Sequence, residues 1–121
     1  MKILIGLLIA CLTMASACAA SSDGEVVIPF SLAKGKALFD ENCSSCHGLQ
    51  LNGSDKGPPL IHGFYKPSHH GDAAFYRAAL EGVRAHHWPF GDMAPVPGMT
   101  RGKMDSLLPY IRFYQQQKKL Y

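Results

Sequence analysis

Cys43, Ser44, Ser45, Cys46 and His47 stand in a row, and this short stretch concentrates more reactive chemistry than any other part of the chain. Two thiols three positions apart, followed at once by an imidazole, form the C-x-x-C-H pattern of covalent haem attachment. The thiols can reach the two vinyl groups on one edge of a porphyrin and form thioethers, which carries the adjacent imidazole under the iron. Neutral imidazole is a good iron ligand, and covalent anchoring fixes it without a large pocket to hold the cofactor. Two rival readings are weaker. A thioredoxin-type redox pair calls for a βαβ context, and the flanks here are helix-forming. A structural zinc site needs about four closed ligands. The remaining cysteines, Cys11 and Cys18, lie in the leader region and cannot complete one.

The elements that must carry this motif are helical. A first helix fits Ser31 as N-cap and runs to about Asn42, with Leu32, Gly35 and Phe39 on one face. Gly35 costs helix propensity and so signals close approach by another element. Between Gly48 and Gly71 lie five glycines and three prolines, a turn-forming composition. A loop of that length in a small domain asks for something to wrap. A second helix fits Asp72 as cap, with Phe75, Ala78, Ala79, Gly82 and Val83 at helical spacing. The last fits Thr100 as cap, with Met104, Leu107, Leu108 and Ile111 on its buried face and Lys118 and Lys119 at its C-terminal end. Pro109 falls inside it and should cost roughly 3 kcal/mol or bend the helix.

The chain has 121 residues, 47% of them hydrophobic and 17% charged, which fits one small domain and excludes a multidomain enzyme. Six Phe, five Tyr and one Trp give it the material for a thin core. Residues 1–20 have a basic start at Lys2, a ten-residue apolar block over 3–12, and small residues at Ala15-Ser16-Ala17 and Cys18-Ala19-Ala20. This is the plan of a secretory signal, and the block is about half the roughly 20 residues that span a bilayer. Ordinary cleavage is the preferred fate. The alternative is a loose lipobox ending at residue 17, which would make Cys18 a lipid anchor and tie the protein to a membrane. Residues 21–30 read as a linker or arm, 31–117 as the domain and 118–121 as a basic tail. Twelve Lys and Arg against nine Asp and Glu leave +3, and loss of Lys2 with the leader leaves +2. With no basic stripe, nucleic-acid binding is excluded.

Over residues 31 to 117 the chain resembles the small monohaem class I cytochromes c, exported bacterial proteins. In that family a glycine and an aromatic on the first helix pack against an aromatic on the last, which Gly35, Phe39 and Tyr110 match. Gly57-Pro58-Pro59-Leu60 resembles the family's Gly-Pro-x-Leu segment. The resemblance implies that the Pro58 carbonyl accepts the His47 N–H and that Leu60 packs on the haem, a bond that would fix the imidazole tautomer. Pro109 departs from the family, which has a helix former there. The implied fold is all-α, three or more helices with long loops around one covalently bound haem c.

A methionine sulfur opposite His47 would saturate the iron and favour its ferrous state. Met104 falls on a core face, and Met99 directly precedes the Thr100 cap, where an apolar residue staples back on its helix. Met93 sits in the irregular, proline-rich run from Phe90 to Gly98 that can bring a side chain to the iron. The family's spacing to the last helix also selects Met93. Trp88 is read as pocket lining with its N–H toward a propionate, core packing being an equal alternative. Phe64 and Tyr65 are read as pocket lining. His62, His69, His70, His86 and His87 read first as solvent-facing residues around the crevice, with tuning of the haem or binding of a second metal as sharper options.

The function implied is a periplasmic one-electron carrier with His47 and Met93 as axial ligands, meeting redox-partner proteins by transient contact and meeting a membrane only through a lipidated Cys18. Three alternatives stay open: a haem-bearing electron-transfer subunit of a larger oxidoreductase, a gas sensor or peroxidase-like enzyme, and a metal-handling protein.

Overall fold

Ala33-Lys34-Gly35-Lys36-Ala37-Leu38-Phe39 is rich in good helix formers and places Gly35 and Phe39 on one face, and it forms helix α1, Ala33–Asn42. The structure is a computed structural model and describes residues 25–121. The leader, with Cys11 and Cys18, lies outside the described residues. Helix α2, Ser44–His47, is a single turn. Helix α3 is Asp72–Glu81 and helix α4 is Arg101–Gln117. Short 3-10 turns occupy Phe30–Leu32 and Gly63–Tyr65. No strand occurs among the described residues, only an isolated antiparallel bridge between Val83 and Met93. The fold is all-α, and no described helix is long and apolar enough to cross a membrane.

Helices α1 and α4 cross at the centre of the molecule. A Cβ on Gly35 would stand 2.2 Å from the Ser106 carbonyl oxygen and 2.9 Å from Tyr110 Cβ, so only glycine permits this approach. One turn further on, Phe39 meets Tyr110 with ring centroids 5.6 Å apart, and both are fully buried. Met104, Leu107, Leu108, Ile111 and Tyr114 continue the core along α4, and Phe75 and Ala79 join it from α3. The arm alternates as an extended segment does, with Val26 and Ile28 packed on the core and Val27 exposed.

Three helix boundaries differ from the sequence expectation. Ser31 does not cap α1, because Pro29 accepts the Leu32 amide at 2.9 Å and draws residues 30–32 into a tighter turn, leaving Leu32 at the N-cap. Asp72 does not cap α3 either. Gly71 holds that position, and the Asp72 carboxylate instead accepts from Arg112 Nε at 2.8 Å. Gly82 and Val83 lie beyond α3, whose last turn closes on a Gly82 N–H to Ala78 carbonyl bond of 3.0 Å. Thr100 caps α4 as expected, its hydroxyl accepting from the Lys103 amide at 3.2 Å. Pro109 does not interrupt α4, which continues to Gln117. The carbonyl that Pro109 cannot serve belongs to Asp105, and both residues lie on the exposed face, where water can take the missing partner's place.

Candidate haem site

The attachment motif is built by the end of α1. Asn42 Nδ2 adds a bond to the Leu38 carbonyl at 2.8 Å, and Ser44 Oγ donates to the Asp40 carbonyl at 2.6 Å, one of the carbonyls that the helix end leaves open. The chain then turns directly into α2, with the His47 amide bonded to the Cys43 carbonyl at 2.9 Å. This turn brings Cys43, Cys46 and His47 to one wall of a cavity of about 770 Å³.

The residues named from the sequence as haem attachment, ligand and pocket positions line that cavity, Phe64 excepted: Cys43, Cys46 and His47, then Pro58, Leu60, Trp88 and Met93. His47 Nδ1 lies 2.8 Å from the Pro58 carbonyl, which can only accept, so Nδ1 carries the proton and Nε2 keeps its lone pair. Burial pulls the imidazole below its ordinary value, and the bond to Pro58 opposes that fall. Burial also pushes the Cys43 thiol up to about 11, with the neighbouring Cys46 adding to the rise. A catalytic dithiol needs the opposite shift, toward a ready thiolate, so the electrostatics speak against a redox-active cysteine pair.

Met93 is placed by backbone. Its amide donates to the Val83 carbonyl at 2.8 Å, and the Val83 amide returns a bond to the Met93 carbonyl at 2.9 Å. Three residues on, the Val96 amide donates to the Ala79 carbonyl at 2.9 Å, so the proline-rich run is pinned at the methionine to the segment that follows α3 and, beyond it, to α3 itself. Gly82 makes this possible: its φ is +84°, and a Cβ there would stand 2.5 Å from the Met93 carbonyl oxygen. Met99 is half-buried and packs on the core rather than lining the cavity, as a staple residue should. Met104 is buried in the core, with its flank against the cavity.

The indole N–H of Trp88 is buried and has no hydrogen-bond partner. The indole acts on the Tyr65 hydroxyl only as a weak donor, opposing the rise that burial gives that phenol without reaching full hydrogen-bond geometry. Such an orphaned donor at a cavity wall calls for an acceptor from outside the protein. A porphyrin carboxylate supplies one, so the residues present fit haem. Tyr65 lines the cavity as expected, whereas Phe64 does not. Phe64 instead stacks on His87, with centroids 4.2 Å apart and planes 17° apart, because the 3-10 turn that holds it faces the neighbouring histidines. Those histidines are not separate solvent residues: His69 and His86 are exposed, but His62, His70 and His87 are half-buried, with His69, His70, His86 and His87 packed on one another and His62 on Phe64 and Trp88. His87 is held below its ordinary value, first by desolvation and then by the four imidazoles around it.

Arg112 and Gln115 are the residues that sequence reasoning missed. Gln115, fully buried, donates to the Leu60 carbonyl at 2.7 Å. Arg112 donates to the carbonyls of Tyr65 at 2.7 Å and His70 at 2.8 Å. Together they fasten the long loop that carries Pro58 and Leu60 onto α4. Neither has a local sequence signal, since their partners lie more than forty residues away.

Comparison with curated proteins and with solved structures gives no match. A family model described as Cytochrome c matches residues 32–113, which spans α1, the C-x-x-C-H turn, the wrapping loop and most of α4. The chain belongs to the cytochrome c family, whose domain binds haem c covalently.

Proposed function

We propose that the protein is an exported one-electron carrier in which Cys43 and Cys46 would join a single haem c and His47 and Met93 would ligate its iron. The observation that carries this reading is the convergence of all four residues on one cavity, with the histidine tautomer and the methionine backbone each fixed by hydrogen bonds. When bound, haem c supplies a ferric–ferrous couple for one-electron transfer.

The chain's own residues set the conditions for that couple. Pro58 holds the His47 proton on Nδ1, which orients the ring and raises the basicity of Nε2. The Val83 bridge presents Met93 without a conformational search. Leu60 and Phe75, both buried, keep water from that wall. Trp88 offers its N–H to a carboxylate. Ligation by both His47 and Met93 would leave no coordination position for a substrate, which favours a carrier over a catalyst.

Absorption spectra of the purified holoprotein in both redox states, beside Met93→Ala and Met99→Ala, test the assignment. Methionine ligation lost only in Met93→Ala is the expected result. Loss in Met99→Ala with Met93→Ala unchanged overturns it. Intact mass of the exported protein separates a residue-20 cleavage from a lipidated Cys18.

A further inference from the structure

We propose that His69, His70 and His87 form a binding site for one divalent late-transition-metal ion, copper(II) or zinc(II), on the rim of the haem cavity. Their ligand nitrogens all lie within 4.8 Å of one another. Two of them, Nε2 of His69 and Nε2 of His87, are 3.3 Å apart. Two nitrogens bound at about 2.0–2.1 Å to one tetrahedral ion stand about 3.3 Å from each other, so this pair already has the spacing of a shared metal. A hydrogen bond between the two rings would explain their separation, but not the convergence of a third.

The three side chains come from two segments held in place independently of any metal. His69 and His70 sit in a turn whose amides both bond the Lys66 carbonyl at 2.9 Å, and Arg112 clamps the His70 carbonyl at 2.8 Å. His87 arrives from beyond α3, its ring stacked on Phe64. His70 Nδ1 lies 2.5 Å from the Phe64 carbonyl and must donate to it, which leaves Nε2 with its lone pair, the arrangement that fixes metal-binding histidines. His69 is exposed, so the ion has an open approach and water can complete its coordination.

The donor set decides the class of ion. Three imidazoles without thiolate or carboxylate suit copper(II) and zinc(II), with copper the tighter. They do not suit calcium or magnesium, which take oxygen ligands. His70 and His87 also line the cavity that holds Cys43, His47 and Met93. A divalent ion there places positive charge beside the haem and disfavours its ferric state, so the reduction potential should rise.

The test uses the haem-loaded protein stripped with a chelator, titrated separately with copper(II) and zinc(II) by calorimetry, with metal analysis after gel filtration. One equivalent of each is expected, copper binding the tighter, with a higher haem potential in the loaded protein. His69→Gln and His87→Gln should each weaken uptake about 100-fold or more, since even the outer partners of metal ligands cost 10–100-fold. His62→Gln should bind as the parent does. Unchanged haem spectra and thermal midpoints show that the variants are folded. Electron paramagnetic resonance of the copper-loaded parent, which needs no variant, should show imidazole nitrogens on the metal. No stoichiometric uptake, uptake indifferent to both substitutions, equal competition by magnesium, or a copper spectrum without nitrogen couplings overturns the site.

Discussion

Arg112 donates from Nε to Asp72, from one terminal nitrogen to Tyr65 and Gln115, and from the other to His70, while its plane lies 4.6 Å over the Phe75 ring. Its side chain is only 11% exposed, so the bonds to Tyr65, Gln115 and His70 are little screened by water, whereas the Asp72 carboxylate is 66% exposed and its bond is screened. Arg112→Leu keeps apolar volume but strands two carbonyls, and charge-assisted bonds of this kind are worth about 1.5–3 kcal/mol. A loss of about 3 kcal/mol in urea unfolding of the holoprotein is expected, with Arg112→Lys recovering only part because an ammonium cannot form the fork. Equal stability of parent and Arg112→Leu would show that the clamp holds nothing. At this scale legibility depended on sequence distance. Cys43, Cys46 and His47 could be read because their chemistry is local. The Pro58 carbonyl needed a resemblance, and Arg112 has nothing around it in the chain to set it apart from a surface arginine.

Among elements, the α1–α4 crossing is the contact with least tolerance. Gly35→Ala puts a methyl group 2.2 Å from a backbone oxygen of Ser106, and a backbone cannot swing aside as a side chain can. Overpacking of this kind costs about 1–3 kcal/mol or more, so the thermal midpoint should fall by several degrees while the haem spectrum of the folded fraction is preserved. A midpoint equal to the parent's would mean that the helices can part freely. The three main helices were legible from apolar spacing, and the buried faces Gly35/Phe39, Phe75/Ala79 and Met104 to Ile111 are those that the spacing gives. Their ends were less so. Helix periodicity ran through Gly82 and Val83 because a glycine with positive φ has no periodic signature. A two-residue bridge is likewise too short to show strand alternation, so what holds the Met93 backbone against Val83 was invisible.

For the molecule as a whole, the buried tyrosines set the alkaline limit. Tyr110 is fully buried, and burial first, then Asp40 and Tyr114, raise it far above the ordinary tyrosine value. Tyr114 is raised in the same direction by burial and by Glu25. The native state therefore keeps these protons after the unfolded chain has released them. Their contribution to stability is complete below the ordinary value of 10.0 and declines as pH rises beyond it. Tyr110→Phe should flatten that decline when unfolding free energy is measured against pH, with tyrosinate absorbance as the second readout. An equally steep decline in Tyr110→Phe would assign it to other groups. The wrapping loop was legible at this scale from its glycines and prolines, but not the means of its attachment, which lies on the last helix. That placement has a bearing on how the chain matures. The partners of Gly35 and Phe39 are Ser106 and Tyr110, some seventy positions downstream, and the fasteners of the loop are Arg112 and Gln115. A nascent polypeptide halted before residue 101 can present its thiols but lacks the α4 part of the cavity wall, Met104, Leu107 and Ile111, and the fasteners of its loop, so the attachment turn emerges before the element that locks its surroundings is made.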